Sequence, residues 1–477
     1  MDGKLKKNLS YQSIYQLLTV ITPLIVTPYI SRILGPDNIG IYSYTYSIAY
    51  YFVMFALMGV ANYGNRTISA NNTTRENRSR VFWEIYSFQF IMSIVMTIAY
   101  LFYIIWFCRY EKVISIIQMI YVMTSVIDIS WLFFGVEDVR PVVIRNTIVK
   151  IMSLMGIFIF VKNSDDLWIY TLLLTGGQFI GGATMWLSLK KYIFFVKPHF
   201  SGIKKHIIPN ITLFIPVIAI SLYKTMDKIM LGILSSDSQV GFYTNAESLI
   251  NAPMGFIVAV GTVMLPRITH LLMNGEIEQS ITYFEKSLKL TMCFSCAVAF
   301  GLVAVAPTFV PLYYGNGFDD CVFLIQGQAF VMLFLAWANV VRTQFLLPHK
   351  HDKQYILSII TGACVNVLLN LLMIPKYQAA GALIATIFAE GVVCIIQSLD
   401  AARHINIVKC LNENLYFMLS GITMLIIIRV VNIFVSINNS LLYLLLQILC
   451  GAFVYLLMLI IYYFFMTKIL KRTISIK

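Results

Sequence analysis

Several ionisable residues fall inside stretches of this chain that are otherwise suited to lipid. Lys224, Asp227 and Lys228 sit at i, i+3 and i+4 of one apolar run (207–233), so all three share a helix face. A charge embedded in hydrocarbon costs on the order of 2.5–3.5 kcal/mol on the insertion scale, so it is usually paired or faces water. Asp227 can balance one lysine and Lys228 can snorkel, which leaves Lys224 near mid-span as a cavity-facing cation. Arg145 and Lys150 lie one to two turns from the end of the run 142–162, where each can snorkel or turn inward. Arg32, Arg66 and Arg267 stand at the ends of runs, and Arg342 and Arg429 read as snorkelling. Among the acids, Asp128, Glu247 and Glu390 are embedded, Glu390 most deeply. Fixed cations where water is scarce bind phosphate oxygens, and a lone buried carboxylate is a site for a coupling proton or cation.

The elements that must position these groups are membrane helices. The chain is 59% apolar and only 12% charged, with a mean hydropathy of +0.79; soluble domains run at roughly 45–50% apolar. Bilayer spans need about 20 mostly apolar residues, and about fourteen such runs follow one another from 9–34 to 440–467. The predicted fold is all-α and polytopic. The net charge of +13 is largely topology. If Lys4, Lys6 and Lys7 are cytoplasmic, so are the connections with Arg75, Arg78 and Arg80, with Lys190, Lys191, Lys204 and Lys205, with Lys350 and Lys353, and the tail with Lys471 and Arg472. Both termini are therefore expected in the cytoplasm, and the first run reads as a span, not a cleavable signal. The eight cysteines lie in or beside apolar runs, Cys293 and Cys296 lack neighbouring His or Asp ligands, and no metal site is expected.

Two stretches about two hundred residues apart are nearly the same. One reads Ile33-Leu34-Gly35-Pro36-Asp37-Asn38-Ile39-Gly40-Ile41-Tyr42, the other Ile233-Leu234-Ser235-Ser236-Asp237-Ser238-Gln239-Val240-Gly241-Phe242-Tyr243. In that register Arg66 falls on Arg267. A duplicated polytopic unit with ionisable residues at matched positions is how many secondary transporters are built. Pro23, Pro28, Pro216, Pro253, Pro307 and Pro311 interrupt the runs, and each frees a carbonyl that needs a partner in protein or a wet cavity. Gly35, Gly40 and Gly241, with Pro23 and Pro28, are the candidate hinge and gate positions.

Arg32-Ile33-Leu34-Gly35-Pro36, Gly64-Asn65-Arg66, Trp131-Leu132-Phe133-Phe134-Gly135, Asp227-Lys228-Ile229-Met230-Leu231-Gly232, Leu265-Pro266-Arg267, Asn366 with Asn370, and Pro375-Lys376-Tyr377 before Gly381-Ala382 occur in an order and spacing that resembles bacterial Wzx-type polysaccharide flippases. These belong to the multidrug, oligosaccharidyl-lipid and polysaccharide exporter superfamily. The resemblance covers the first twelve runs and implies two six-helix lobes, 1–200 and 201–408, related by a pseudo-two-fold axis along the membrane normal, with 409–477 as two further helices and a basic tail. It implies a flippase, not an enzyme, that moves an undecaprenyl-pyrophosphate-linked oligosaccharide from the inner to the outer leaflet of the bacterial cytoplasmic membrane by alternating access. Arg32, Arg66, Lys224 and Arg267, then Arg145 and Lys228, are the expected pyrophosphate ligands. Glu390, Asp128, Asp227 and Glu247 are the expected sites if H+ or Na+ couples transport; no other cofactor is expected. Partners would be the lipid-linked glycan, membrane lipid, and polymerase and chain-length machinery, with no nucleic acid. The alternatives are a flippase for the lipid-linked peptidoglycan precursor and a cation-coupled multidrug antiporter. An integral-membrane polymerase fits less well, because every predicted outer connection is short, and no phosphate-cradling glycine loop is present. One departure stands out: Gly232 occupies the place of Arg32 in the second copy.

Overall fold

The computed structural model describes residues 3–108, 111–435 and 437–474; side chains are described from Leu18 to Phe464 within those ranges, except those of Ala219, Tyr223, Lys224 and Tyr463. The described residues form helices and no strands, as lipid demands when every backbone polar group must be satisfied within its own segment. In chain order they are α1 (Gly3–Leu57), α2 (Val60–Ala70), α3 (Arg75–Trp106), α4 (Lys112–Ile127), α5 (Ser130–Gly135), α6 (Arg140–Phe160), α7 (Leu167–Leu189), α8 (Phe200–Leu234), α9 (Asp237–Met273), α10 (Ile277–Tyr314), α11 (Asp320–Val341), α12 (Asp352–Ala401), α13 (Ile407–Phe434) and α14 (Ser440–Ile474).

Twelve stretches among the described residues are long and apolar enough to cross a membrane. Two of them, Leu18–Ala70 and Asp352–Ala401, would each run about 75–80 Å as straight helices, more than twice the hydrocarbon thickness. Neither is straight: Gly35 (φ 73°, ψ 175°) breaks α1, and Gln378 (φ 52°, ψ −129°) breaks α12 just after Pro375. Both breaks fall where the sequence separates adjacent runs.

Two other runs read as single helices are interrupted. The run 39–65 stops at Met58 (φ 38°) and Gly59 (φ 83°), so Arg66 rides on the short helix α2 and not on the continuation of α1. A Cβ on Gly59 would lie 2.7 Å from the Asn210 carbonyl oxygen, so the α8 backbone leaves room for nothing larger at this corner. The run 112–134 ends at Ile127, and Asp128 is extended (φ −74°, ψ 106°). Its freed carbonyls find a partner on α3: Gln89 Nε2 donates to Ser125 O (2.7 Å) and Asp128 O (2.8 Å), while Gln89 Oε1 accepts from Trp131 Nε1 (2.9 Å). No proline or glycine marks this break, which is why the sequence does not betray it.

By contacts the chain divides into two compact units, Met1–Gly241 and Phe242–Lys477. In the first, α8 packs on α1, α2 and α3, and α4 packs on α7. In the second, α10 is the hub for α11, α13 and α14, around buried Met292, Phe300, Met332, Trp337 and Met424. The last two helices therefore share a core with α10. Pro307 frees the Val303 carbonyl one turn back; Gln326 Nε2 (3.1 Å) and Arg429 Nη2 (3.3 Å) both donate to it. The exposed Arg429 is thus tied to a proline kink near the end of α13.

The two copies of the repeated motif meet inside the first unit. A Cβ on Gly40 would lie 1.7 Å from the Asp237 carbonyl oxygen, and one on Gly241 would lie 2.1 Å from the Pro36 carbonyl oxygen. Gly40 is four residues past Pro36 and Gly241 four past Asp237, so each glycine abuts the first helical turn of the other copy. The Ser238 hydroxyl donates to the Asp37 carboxylate across the same seam. This reciprocity is a local two-fold relation between the motifs.

Candidate functional site: a basic cavity in the first unit

Helices α1, α4, α6 and α7 enclose a cavity of about 550 Å³. Glycines on α7 let α6 approach: a Cβ at Gly181 would lie 2.7 Å from Val149 Cγ2 and 3.4 Å from Arg145 Cδ. Arg145 and Lys150 of α6 both line the cavity, with Asp128, Tyr170 and Gln178. The Arg145 guanidinium donates to Asn146 Oδ1 (Nε 2.9 Å, Nη2 2.5 Å) and reaches Ser130 Oγ at 3.4 Å. Lys150 Nζ donates to Thr19 Oγ1 at 3.1 Å. Asp128 is partly committed, because its Oδ1 accepts from the Ser130 amide (3.0 Å) at the start of α5. Two cations and one acid leave the cavity with net positive character, and hydroxyls and amides complete its polar lining. Such a site can replace the water of a phosphate group, the arginine fork binding two oxygens and the ammonium a third.

The other sequence candidates are distributed as follows. Pro23 lies in the wall of this cavity. Arg66 is exposed and lines a second cavity of about 440 Å³ between α2 and α8. Arg32 is also exposed. Asp227 is buried and Lys228 half-buried on α8; the side chain of Lys224 lies outside the described residues. Arg267, in the second unit, is exposed and stands 5.4 Å above the ring of Tyr283. Arg66 and Arg267, equivalent in the repeat, thus differ in setting, since α9 continues unbroken where α1 stops at Leu57. Glu390 is buried and Glu247 half-buried. Each is one turn past a hydroxyl of the Tyr243–Thr386 hydrogen bond (2.9 Å) that joins α9 to α12. Pro28 and Gly35 flank Arg32 in the kinked part of α1.

The sequence alone does not single out Gln178 and Tyr170, because polar residues in an apolar run carry no sign of which face is wet. Lys150 was ambiguous for a related reason: it is five residues from Arg145, and only the surrounding helices turn both toward one space.

A polytopic all-helical fold with a basic cavity among its spans defines a membrane transporter class. The chain belongs to the polysaccharide biosynthesis protein family, which matches residues 5–272. It is 24% identical over 400 residues to a putative O-antigen transporter of Escherichia coli, covering 83% of this chain and 95% of that protein. A putative O-antigen transporter of Shigella dysenteriae is also 24% identical, over 404 residues, covering 82% and 98%. Among solved structures, a lipid II flippase, MurJ, in an inward closed conformation superposes with a TM-score of 0.76 at 17% identity, covering 95% of this chain and 99% of that one. The chain therefore shares the fold of that flippase over nearly its whole length.

Proposed function

We propose that the protein moves an undecaprenyl-pyrophosphate-linked oligosaccharide repeat unit from the cytoplasmic to the outer leaflet of the cytoplasmic membrane by alternating access, for export of a surface polysaccharide. The observation that carries this reading is the cavity in which Arg145 and Lys150 face one polar space among membrane helices. A pyrophosphate cannot enter hydrocarbon bare, and fixed cations are the groups that replace its hydration. Membership of the polysaccharide biosynthesis family, and relatives named as O-antigen transporters, support the glycan-lipid class. The likeness to a lipid II flippase carries the fold and leaves the substrate to those relatives. In this reading the two long kinked stretches each cross twice, giving fourteen spans with both termini cytoplasmic, and the functional lobes are 1–200 and 201–408. Arg32, Arg66, Lys224, Lys228 and Arg267 would extend the cationic path beyond the cavity.

The test is binding of a soluble-chain prenyl pyrophosphate to purified protein, followed by thermal shift and native mass spectrometry. Arg145→Gln and Lys150→Gln should each weaken binding on the order of tenfold, the worth of one charge-assisted hydrogen bond, with unchanged elution and helix content. Undiminished affinity in the double variant would place the pyrophosphate elsewhere.

A further inference from the structure

A second ionisable cluster in the first unit lies outside the basic cavity. Glu84 of α3 and His206 of α8 are almost fully buried, with side chains 4% and 3% exposed. His206 Nε2 lies 3.1 Å from Glu84 Oε2, Lys205 Nζ lies 2.9 Å from the same oxygen, and the Tyr63 hydroxyl of α2 lies 2.7 Å from His206 Nδ1. The seat is shaped for the carboxylate: a Cβ on Gly202 would fall 2.1 Å from Glu84 Oε1, so only a glycine in the first turn of α8 admits it.

The donor and acceptor roles follow from chemistry. Ionised Glu84 only accepts, so His206 must carry its proton on Nε2, and neutral Nδ1 then accepts from the Tyr63 hydroxyl. In that state Glu84 and Lys205 cancel and the cluster is neutral. A proton arriving at Nδ1 makes His206 a cation held by Glu84, and Nδ1 becomes a donor. The Tyr63 hydroxyl can then no longer donate to it and must turn to accept. The bond that fastens α2 to α8 therefore reverses direction when one proton binds. Arg66 is one turn past Tyr63, and both line the cavity that α2 shares with Pro209 and Thr212 of α8.

We propose that His206 is a proton-binding site whose occupancy sets the seating of α2 against α8, and with it the position of Arg66. Among the described residues, the charged groups around it are few. On α8 they are Lys205, on Glu84, and Lys204, turned over the Phe200 ring. On α3 they are Glu84 and, a turn earlier, Arg80, paired with Glu76. On α2 they are Tyr63 and Arg66; α1 has no charged residue between Asp37 and its end at Leu57. Of these side chains only the imidazole of His206 has an ordinary pKa near neutrality; His199, the other histidine of this region, is exposed at the N-cap of α8.

Hydrogen–deuterium exchange of the segment 60–70, in full-length protein in lipid nanodiscs, tests this without any transport assay. After correction for the intrinsic pH dependence of exchange, protection of α2 should change in a single transition as the pH falls below neutrality. Glu84→Gln removes the charge that stabilises the imidazolium and should lower the midpoint by about one unit or more; His206→Gln should abolish the transition. Tyr63→Phe leaves Glu84 and His206 in place but cuts the link, so α2 should again be insensitive to pH. PH-independent protection in the wild-type protein, or a transition that persists in His206→Gln or Tyr63→Phe, overturns the proposal.

Discussion

An arginine within or beside a membrane helix can meet three different fates in this protein, and its partner decides which. Arg145 lines a polar cavity, Arg429 satisfies the carbonyl that Pro307 freed, and Arg342 lies 5.9 Å above the Tyr355 ring. In sequence the three look alike, one cation in an apolar run, because the distinguishing groups come from other helices. Histidine at the membrane rim offers a sharper test of the local chemistry. His349 lies between α11 and α12, its Nδ1 2.9 Å from the Phe345 carbonyl oxygen, with the rings of His351 and His404 about 6 Å away. Burial, helped by the neighbouring histidines, pushes its pKa below the usual value of 6.5, against the pull of that carbonyl and of Asp400. Between the lowered value and 6.5 the unfolded chain holds a proton that the folded one refuses, so stability rises with pH there and falls as pH drops through that window. His349→Gln, which keeps a donor for Phe345, should lessen the loss of melting temperature between pH 7.5 and 5.5; an undiminished loss would show that His349 is not the group responsible.

At the scale of elements, the helices and most of their ends were legible because lipid enforces long apolar runs, and Gly35-Pro36 and Pro375 announce the two kinks. The breaks at Met58–Gly59 and Asp128 were not, because each is fixed by a neighbour: the α8 backbone at the first, Gln89 at the second. The repeat was legible as a pattern, but the reason for its glycines appears only where the motifs touch. This separates two kinds of glycine. At Gly40 a methyl group would meet the Asp237 carbonyl at 1.7 Å, whereas at Gly35 it would meet nothing within 4 Å and suffer only the strain of φ +73°. Gly35→Ala should therefore cost about 1–3 kcal/mol of stability, while Gly40→Ala should push the seam apart and cost more. Melting of the detergent-solubilised variants checks the order. Equal destabilisation, or a milder effect at Gly40, would mean that the motifs separate freely.

For the whole molecule, the likeness that covers nearly the entire chain fixes the fold, and the polysaccharide biosynthesis family covers the first unit and the start of the second. The sequence pointed to a duplicated transporter through its matched motifs and embedded cations, and the order of favoured cations shifted once helices were in place. Arg145 and Lys150, which looked able to snorkel, share a cavity. Arg66, which looked like the end of a long span, sits on a separate amphipathic helix. What the central claim requires is movement of a lipid-linked glycan between leaflets by this chain alone. Proteoliposomes containing only this protein, with an undecaprenyl-pyrophosphate-linked oligosaccharide in the inner leaflet, allow that movement to be read as glycan newly accessible to an external, impermeant lectin. The account predicts accessibility that rises with time, depends on folded protein, and is lost in the Arg145→Gln, Lys150→Gln double variant. Glycan that stays inaccessible with folded wild-type protein, or that appears equally with the double variant, would contradict it.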